Sequence, residues 1–348
     1  MIDRESYNHN NSVLFVTNYR PNVGGISGQV EILSESLSTE GVKTKIFNTG
    51  CSLMRPLFFF PLLFEGRHYT IIHIHGCSNL GGFYPIMLGT LVGKILKRKI
   101  IVTYHGGGAK KFFSKYLKLI QPFFNLANHI TVPSDFLLKT FKEYGFKPLV
   151  IPNILRSQRG NFRIRNKIKP VLIVTRALNK IYNVECAINA FKLVQKRYKN
   201  SKLIIVGDGK EMKNLMRLVK ILNLRGVNFV GRIPNDDIFL ELDKADIFIN
   251  PTTQDNMPVS LLEALACGLV VISTNVGGVP FIIKDKVNGL LVENNDCVKI
   301  ANRVNELIEN NELAKRLIVN GKNTIENYSW NKIKYNLCDI YGMDLDQV

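Results

Sequence analysis

At 348 residues and 46% hydrophobic side chains, the chain is long for one domain and apolar enough to bury two cores, which excludes a disordered or fibrous protein. Six cysteines, at 51, 77, 186, 267, 297 and 338, form no CxxC pair; they argue against a disulfide framework or a metal knuckle and suit a reducing cytoplasm. The net charge of +18 lies mostly in the first half: residues 1–167 carry 22 Lys and Arg against 8 Asp and Glu, the remainder 24 against 20. Such a half is drawn to anionic lipid headgroups or phosphorylated substrates. No nucleic-acid motif accompanies the charge, so nucleic acid is not an expected partner. The first fifteen residues are polar and carry no signal-peptide pattern. The longest apolar runs, PLFFFPLLF (56–64) and FYPIMLGTLVG (83–93), fall short of the ~20 residues a spanning helix needs.

In chain order, SVLFVT (12–17) reads as a buried strand ending at turn residues. NVGGISGQ then opens a helix over about 26–40, and TKIFN is the next strand. Strands IIHIH (71–75), KIIVTYH (99–105) and HITVP (129–133) follow, separated by helical stretches such as FFSKYLKLIQPFFNLA (112–127). Residues 156–169 are basic with little apolar periodicity, as expected of a linker. Alternation restarts with PVLIVT, KLIIVGDG, VNFVG, ADIFINP, LVVIST and NGLLV between 170 and 292. Short apolar strands alternating with helices predict an α/β fold with parallel sheets covered on both faces. The expected organisation is a Rossmann-like domain at 1–155, the 156–169 linker, a second such domain at 170–327, and a tail helix at 328–348 packed back on the first domain. Ligands bind such sheets at the carboxyl ends of the strands, so an interdomain cleft is expected.

Several constellations fall at those strand ends. Gly24 and Gly25 lie between the first strand and helix, where glycine lets backbone N–H groups approach an anion. A dinucleotide fingerprint fits poorly: GxGxxG ending at Gly28 would need glycine at Val23, and the next strand ends without an acid for a ribose. His75 and His105 each follow a strand, His105 before three glycines, while His73 reads as packing. No carboxylate or second histidine stands at metal-ligand spacing, so no metal is expected. Arg176 and Lys180 follow a strand and suit a diphosphate, one as a planar fork and one as a point charge. VGDG at 206–209 places Gly207 in another strand–turn. NPTTQDNMPVSLLEALACG (250–268) sets Asp255 in a loop, Pro258 in the first turn of a helix closed by Gly268, and Glu263 within it. Free N–H groups near Asn256 and Met257 would face a phosphate or sugar oxygen.

PTTQDNMPVSLLEALACGLVVISTNVGGVPFIIKDKVNGLLV resembles the signature of the retaining glycosyltransferases of family 4. NVGGISG, IIHIHG, TYHGGG, VIPN, TRALNKIYNVECAINAF, LIIVGDG, VNFVGRIP and ADIFINP occur in that family's order over nearly the whole chain. The resemblance implies the GT-B architecture of two facing Rossmann-like domains, with transfer of a sugar from a UDP- or GDP-sugar to an acceptor hydroxyl. It sets the family's paired acids on Asp255, holding sugar hydroxyls, and Glu263, holding the ribose. Arg176 and a nearby lysine neutralise the diphosphate. Arg232 and Ile233 border the base. Gly24 and Gly25 approach the donor, and His105 touches the transferred sugar. Backbone around Asn256, Met257 and Pro258, and around Gly277 and Gly278, lines the site. Three departures stand out: Asp255 replaces the commoner Glu, Lys180 falls one residue early, and Phe281 stands where the family often places Glu. No resident cofactor or metal is implied. A glycan or polyprenyl-pyrophosphate-linked acceptor and cell-surface polysaccharide assembly fit the basic first half, as does a cytoplasmic protein peripheral on an anionic membrane surface, with Lys115 and Lys118 among the aromatics of 112–127. A nucleotide-sugar 2-epimerase and a non-catalytic nucleotide-sugar-binding subunit are the rival classes.

Overall fold

The computed structural model describes residues 12–21, 25–50, 55–156 and 161–343. The chain divides into two compact units. Unit 1 takes residues up to Ile154 and from Trp330 onward; unit 2 is Leu155–Ser329.

Unit 1 is built on six parallel strands: β1 (Ser12–Thr17), β2 (Lys43–Asn48), β3 (Ile71–Gly76), β4 (Lys99–Tyr104), β5 (His129–Val132) and β6 (Leu149–Val150). Their order across the sheet is β2-β1-β3-β4-β5-β6. Every residue of β1 and β3 is buried, as expected for strands covered by helices on both faces. The edge strand β2 alternates in exposure instead. The covering helices are α1 (Ile26–Thr39), α2 (Phe59–Gly66), α3 (Leu80–Ile95), α4 (Ala109–Asn125) and α5 (Asp135–Glu143). The aromatics of α4 turn inward: Phe112, Phe113 and Phe124 are buried, and Phe113 meets Phe141 edge-on at 4.8 Å. Edge-to-face pairs of this kind add about 0.5–1.5 kcal/mol beyond their burial. The aromatics of 112–127 therefore belong to the core rather than to an outward apolar face.

Unit 2 has β7 (Val171–Thr175), β8 (Lys202–Val206), β9 (Val227–Gly231), β10 (Ile247–Asn250), β11 (Val270–Thr274) and β12 (Leu290–Val292), ordered β9-β8-β7-β10-β11-β12 and all parallel. Its helices are α6 (Val184–Arg197), α7 (Met212–Ile221), α8 (Ile238–Asp243), α9 (Val259–Ala266), α10 (Val279–Ile282), α11 (Cys297–Glu309) and α12 (Asn311–Ile325). The chain runs outward from β7 in one direction, then returns to β10 beside β7 and runs outward in the other. That reversal leaves a crevice at the carboxyl ends of β7 and β10, the usual ligand position of an open α/β sheet.

Within the basic stretch at 156–169, Arg165 is buried. It donates to Asp246 Oδ1 at 2.9 Å and to the carbonyls of Ala245, Cys267 and Gly268. Those bonds fasten the chain at Arg165 to the start of β10 and the end of α9. The last helix, α13 (Trp330–Tyr341), lies in unit 1. Ile333, Leu337 and Ile340 join the core of Phe15 and Val30, and Trp330 Nε1 donates to Glu40 at 2.7 Å.

Candidate active site

Arg176 is the first residue after β7, and Asp255 lies five beyond the end of β10, so both stand at the crevice of unit 2. The guanidinium is held from three sides. Its Nε donates to Asn250 Oδ1 at 3.0 Å, a terminal amino group donates to Asp255 Oδ2, and the Tyr182 ring lies 4.8 Å below the guanidinium carbon. Asn250 is itself fixed, being fully buried and donating from Nδ2 to Ser273 Oγ at 2.9 Å. Asp255 Oδ1 accepts from the amide of Asn256 at 2.9 Å. The two loops are tied together, since Thr253 donates from both its amide and its hydroxyl to the carbonyl of Ile181.

Glu263 projects from the second turn of α9. Burial pushes its carboxyl up to about 7, with Arg176 opposing the shift. The same burial lowers the Arg176 guanidinium to about 10, opposed by Tyr182 and Glu263, so it keeps its charge at neutral pH. A planar cation, the Asp255 carboxyl that it contacts and an acid poised near neutrality thus meet at the strand ends. Two buried hydroxyls nearby in sequence, Thr175 Oγ1 and Ser260 Oγ, have no hydrogen-bond partner among the described residues.

The glycines at 277 and 278 have a packing reason. A side chain on either would overlap the carbonyl of Asp255 or Asn256, and the Gly278 amide donates to the Asp255 carbonyl at 3.1 Å. Gly207, expected near a nucleotide, packs on the Arg176 carbonyl, has a φ of +134°, and donates to the Gly231 carbonyl at 2.8 Å. Its role in the fold is to bring the turn after β8 against the turn after β7. Lys180 begins a short 3-10 turn, Lys180–Tyr182, with its side chain exposed. Tyr182, at the other end of that turn, is the residue that reaches Arg176. Arg232 is exposed, and Ile233 is half-buried against the core.

One expectation about the 250–268 stretch is corrected. Pro258 caps α9 from an extended conformation rather than occupying its first turn, because Val259 opens the helix. The Asn256 amide donates to Asp255, and the Met257 side chain is buried in the apolar core. Gly268, at φ +69°, does terminate the helix.

In unit 1, Gly24 lies outside the described residues. Gly25 precedes α1 at φ +76°. His105 follows β4, and its Nε2 is 2.9 Å from His75 Nδ1, with the rings stacked at 5.2 Å. His73 bridges Tyr341 Oη and Thr103 Oγ1, each at 2.7 Å. Burial lowers His73 to about 3 and His105 to about 4, and holds His75 well below the usual 6.5. Three neutral imidazoles therefore line a small cavity together with Gln29, Thr103 and Asn153, into which His75 brings a buried, unpartnered Nε2.

Sequence reasoning missed Asn250, Tyr182 and the pairing of His75 with His105. A polar residue ending the apolar strand IFIN was the available signal for Asn250. Nothing local distinguishes Tyr182 from a surface tyrosine.

The model of the glycosyl transferases group 1 matches residues 157–324, and that of glycosyltransferase family 4 matches 23–159. An uncharacterized glycosyltransferase of Methanocaldococcus jannaschii is 27% identical over 276 residues, covering 72% of this chain and 70% of that protein. The alpha-monoglucosyldiacylglycerol synthase of Streptococcus pneumoniae is 24% identical over 334 residues, covering 80% and 74%. The N-acetyl-alpha-D-glucosaminyl L-malate synthase of Bacillus anthracis is 30% identical over 148 residues, and the match spans 38% of its length. Among solved structures, Anabaena HepE in complex with UDP and glucose aligns with a TM-score of 0.79 at 16% identity, over 96% of this chain and all of that one. A sucrose-phosphate synthase of Thermosynechococcus elongatus aligns at 0.75 and 18%, over 95% and 98%. With both parallel-sheet units matched and the two family models together spanning most of its length, the chain belongs to the family 4 glycosyltransferases of GT-B fold.

Proposed function

We propose that the protein is a retaining transferase that moves a sugar from a nucleoside diphosphate sugar to an acceptor hydroxyl. The convergence of Arg176, Asp255 and Glu263 at the strand-order reversal of unit 2 carries this reading. The leaving diphosphate develops charge as the glycosidic bond breaks, and a buried planar cation stabilises such charge far better than a solvated one. Arg176 is the fork for that group, with Lys180 as a mobile second charge. Glu263 accepts from the ribose hydroxyls, and Asp255 from hydroxyls of the sugar. The unpartnered Thr175 and Ser260 hydroxyls are groups a polar ligand would satisfy. No protein group is placed as a nucleophile; front-face attack steered by the leaving phosphate accounts for retention. Neutralisation by cations leaves the reaction without need of a divalent metal.

UDP is the favoured nucleotide, since HepE was solved with UDP and with UDP-glucose. The acceptor is a glycan or a lipid-linked glycan in cell-surface assembly, in keeping with the lipid product of the S. pneumoniae relative. A thermal-shift panel of UDP, GDP and their sugars, followed by NMR of the product made with the best donor, tests the reading. A shift with one nucleotide and a product keeping the donor's anomeric configuration are expected. Inverted configuration, or release of an isomerised sugar without acceptor, would overturn it.

A further inference from the structure

Most large apolar side chains of unit 1 are buried, but several on α2 and on the C-terminal part of α3 are not. Phe60 and Phe64 are 74% and 65% exposed, and Leu91 and Ile95 are 42% and 57% exposed. Each pair is spaced i, i+4 and so occupies one stripe of its helix. Leu62 and Gly66 of α2, and Val92 of α3, face the other way into the core. The two helices adjoin: Gly66 lies against Leu96 and Val92, and Arg98 donates to the Arg67 carbonyl at 2.8 Å. Leu57, in the turn two residues before α2, is 62% exposed.

Cations border this face. Arg67, Lys94 and Lys97 are exposed, and the neighbouring α4 adds exposed Lys111, Lys115 and Lys118 with Leu119. The acid of α2, Glu65, is neutralised by Lys45 at 2.8 Å. Exposed aromatics with lysine and arginine on the same and adjoining helices match the two zones of an anionic bilayer surface, acyl chains below and phosphates above. A second copy of the chain would present the same cations and repel. No described helix is long and apolar enough to cross a membrane, so contact would be from one side.

We propose that the α2–α3 face docks unit 1 onto an anionic lipid surface, with Phe60 and Phe64 as the inserted side chains and Arg67, Lys94 and Lys97 at headgroup level. The earlier expectation placed lipid contact on 112–127; the exposed aromatics are on α2 instead. This docking does not depend on the transfer reaction, and its test requires no sugar donor. The full chain is floated with vesicles of phosphatidylglycerol and phosphatidylcholine, or of phosphatidylcholine alone, at low and high salt. Binding to the anionic vesicles only, weakened at high salt, is expected. Phe60→Ser with Phe64→Ser, and separately Lys94→Glu with Lys97→Glu, should each reduce the bound fraction about tenfold. All four positions are exposed, so both variants should keep the parent melting temperature. No flotation of the parent, or undiminished flotation of the phenylalanine variant, would overturn the proposal. So would a concentration-dependent dimer, without lipid binding, that the phenylalanine variant abolishes.

Discussion

Asp255→Asn should tighten binding of the free nucleoside diphosphate while destroying transfer. Asp255 Oδ2 accepts from the guanidinium that the proposed reading assigns to the diphosphate. The carboxylate is an internal anion competing for the phosphate's cation. A hydrogen bond to a charged group contributes about 1.5–3 kcal/mol. Both side chains keep some contact with water, 11% and 15% exposed, so a lower figure of about 1.4 kcal/mol applies, or tenfold in Kd. Asparagine keeps the shape and an acceptor but removes the charge. Calorimetric titration of UDP into parent and variant measures the difference directly. Titration of UDP-glucose should show the opposite trend, because the variant loses the sugar's anchor. Equal or weaker UDP binding by a folded Asp255→Asn variant would refute the competition.

Other expectations follow from the same geometry. Glu263 has a folded pKa of about 7 against 4.5 for the ordinary group, so its contribution is fully present below 4.5 and lost as pH rises through 7. That loss is on the order of 3 kcal/mol, and Glu263→Gln should raise the urea midpoint at pH 8 but not at pH 4.5. His73, His75 and His105 behave oppositely. Their folded values lie below 6.5, so the unfolded chain takes up protons first and stability falls as pH drops from 6.5 towards 4. The loss is roughly 2 kcal/mol for His105 at pH 5, and hydrogen exchange should show unit 1 opening on acidification while unit 2 does not. Tyr182→Leu removes the ring beneath Arg176, a contact of about 0.5–2 kcal/mol, and UDP titration should weaken a few-fold or more with the melting temperature unchanged.

The strands were legible because they are short apolar runs, several of them ending at glycine, asparagine or threonine. All but the two-residue β6 were visible that way. Helix α2 was not, since PLFFFPLLF carries prolines and no polar alternation, and its helical nature depends on packing Leu62 and Gly66 onto α3. Arg176, Asp255 and Glu263 were visible through their place at strand and helix ends. What the sequence could not reveal was which groups engage which. That Asp255 already occupies Arg176 and that His75 reaches His105 are facts of tertiary distance across 79 and 30 positions. Gly207 adds a packing reason that the sequence does not display: a side chain there would overlap the Arg176 carbonyl.

The central claim is that unit 2 receives a nucleoside diphosphate sugar on Arg176 and Glu263. Titration of UDP and GDP into the parent, Arg176→Ala and Glu263→Ala, beside transfer assays with the better donor, tests it most directly. The account expects one nucleotide to bind the parent, both variants to stay folded, and each to lose most of its transfer. Transfer at the parent rate in either folded variant would contradict it.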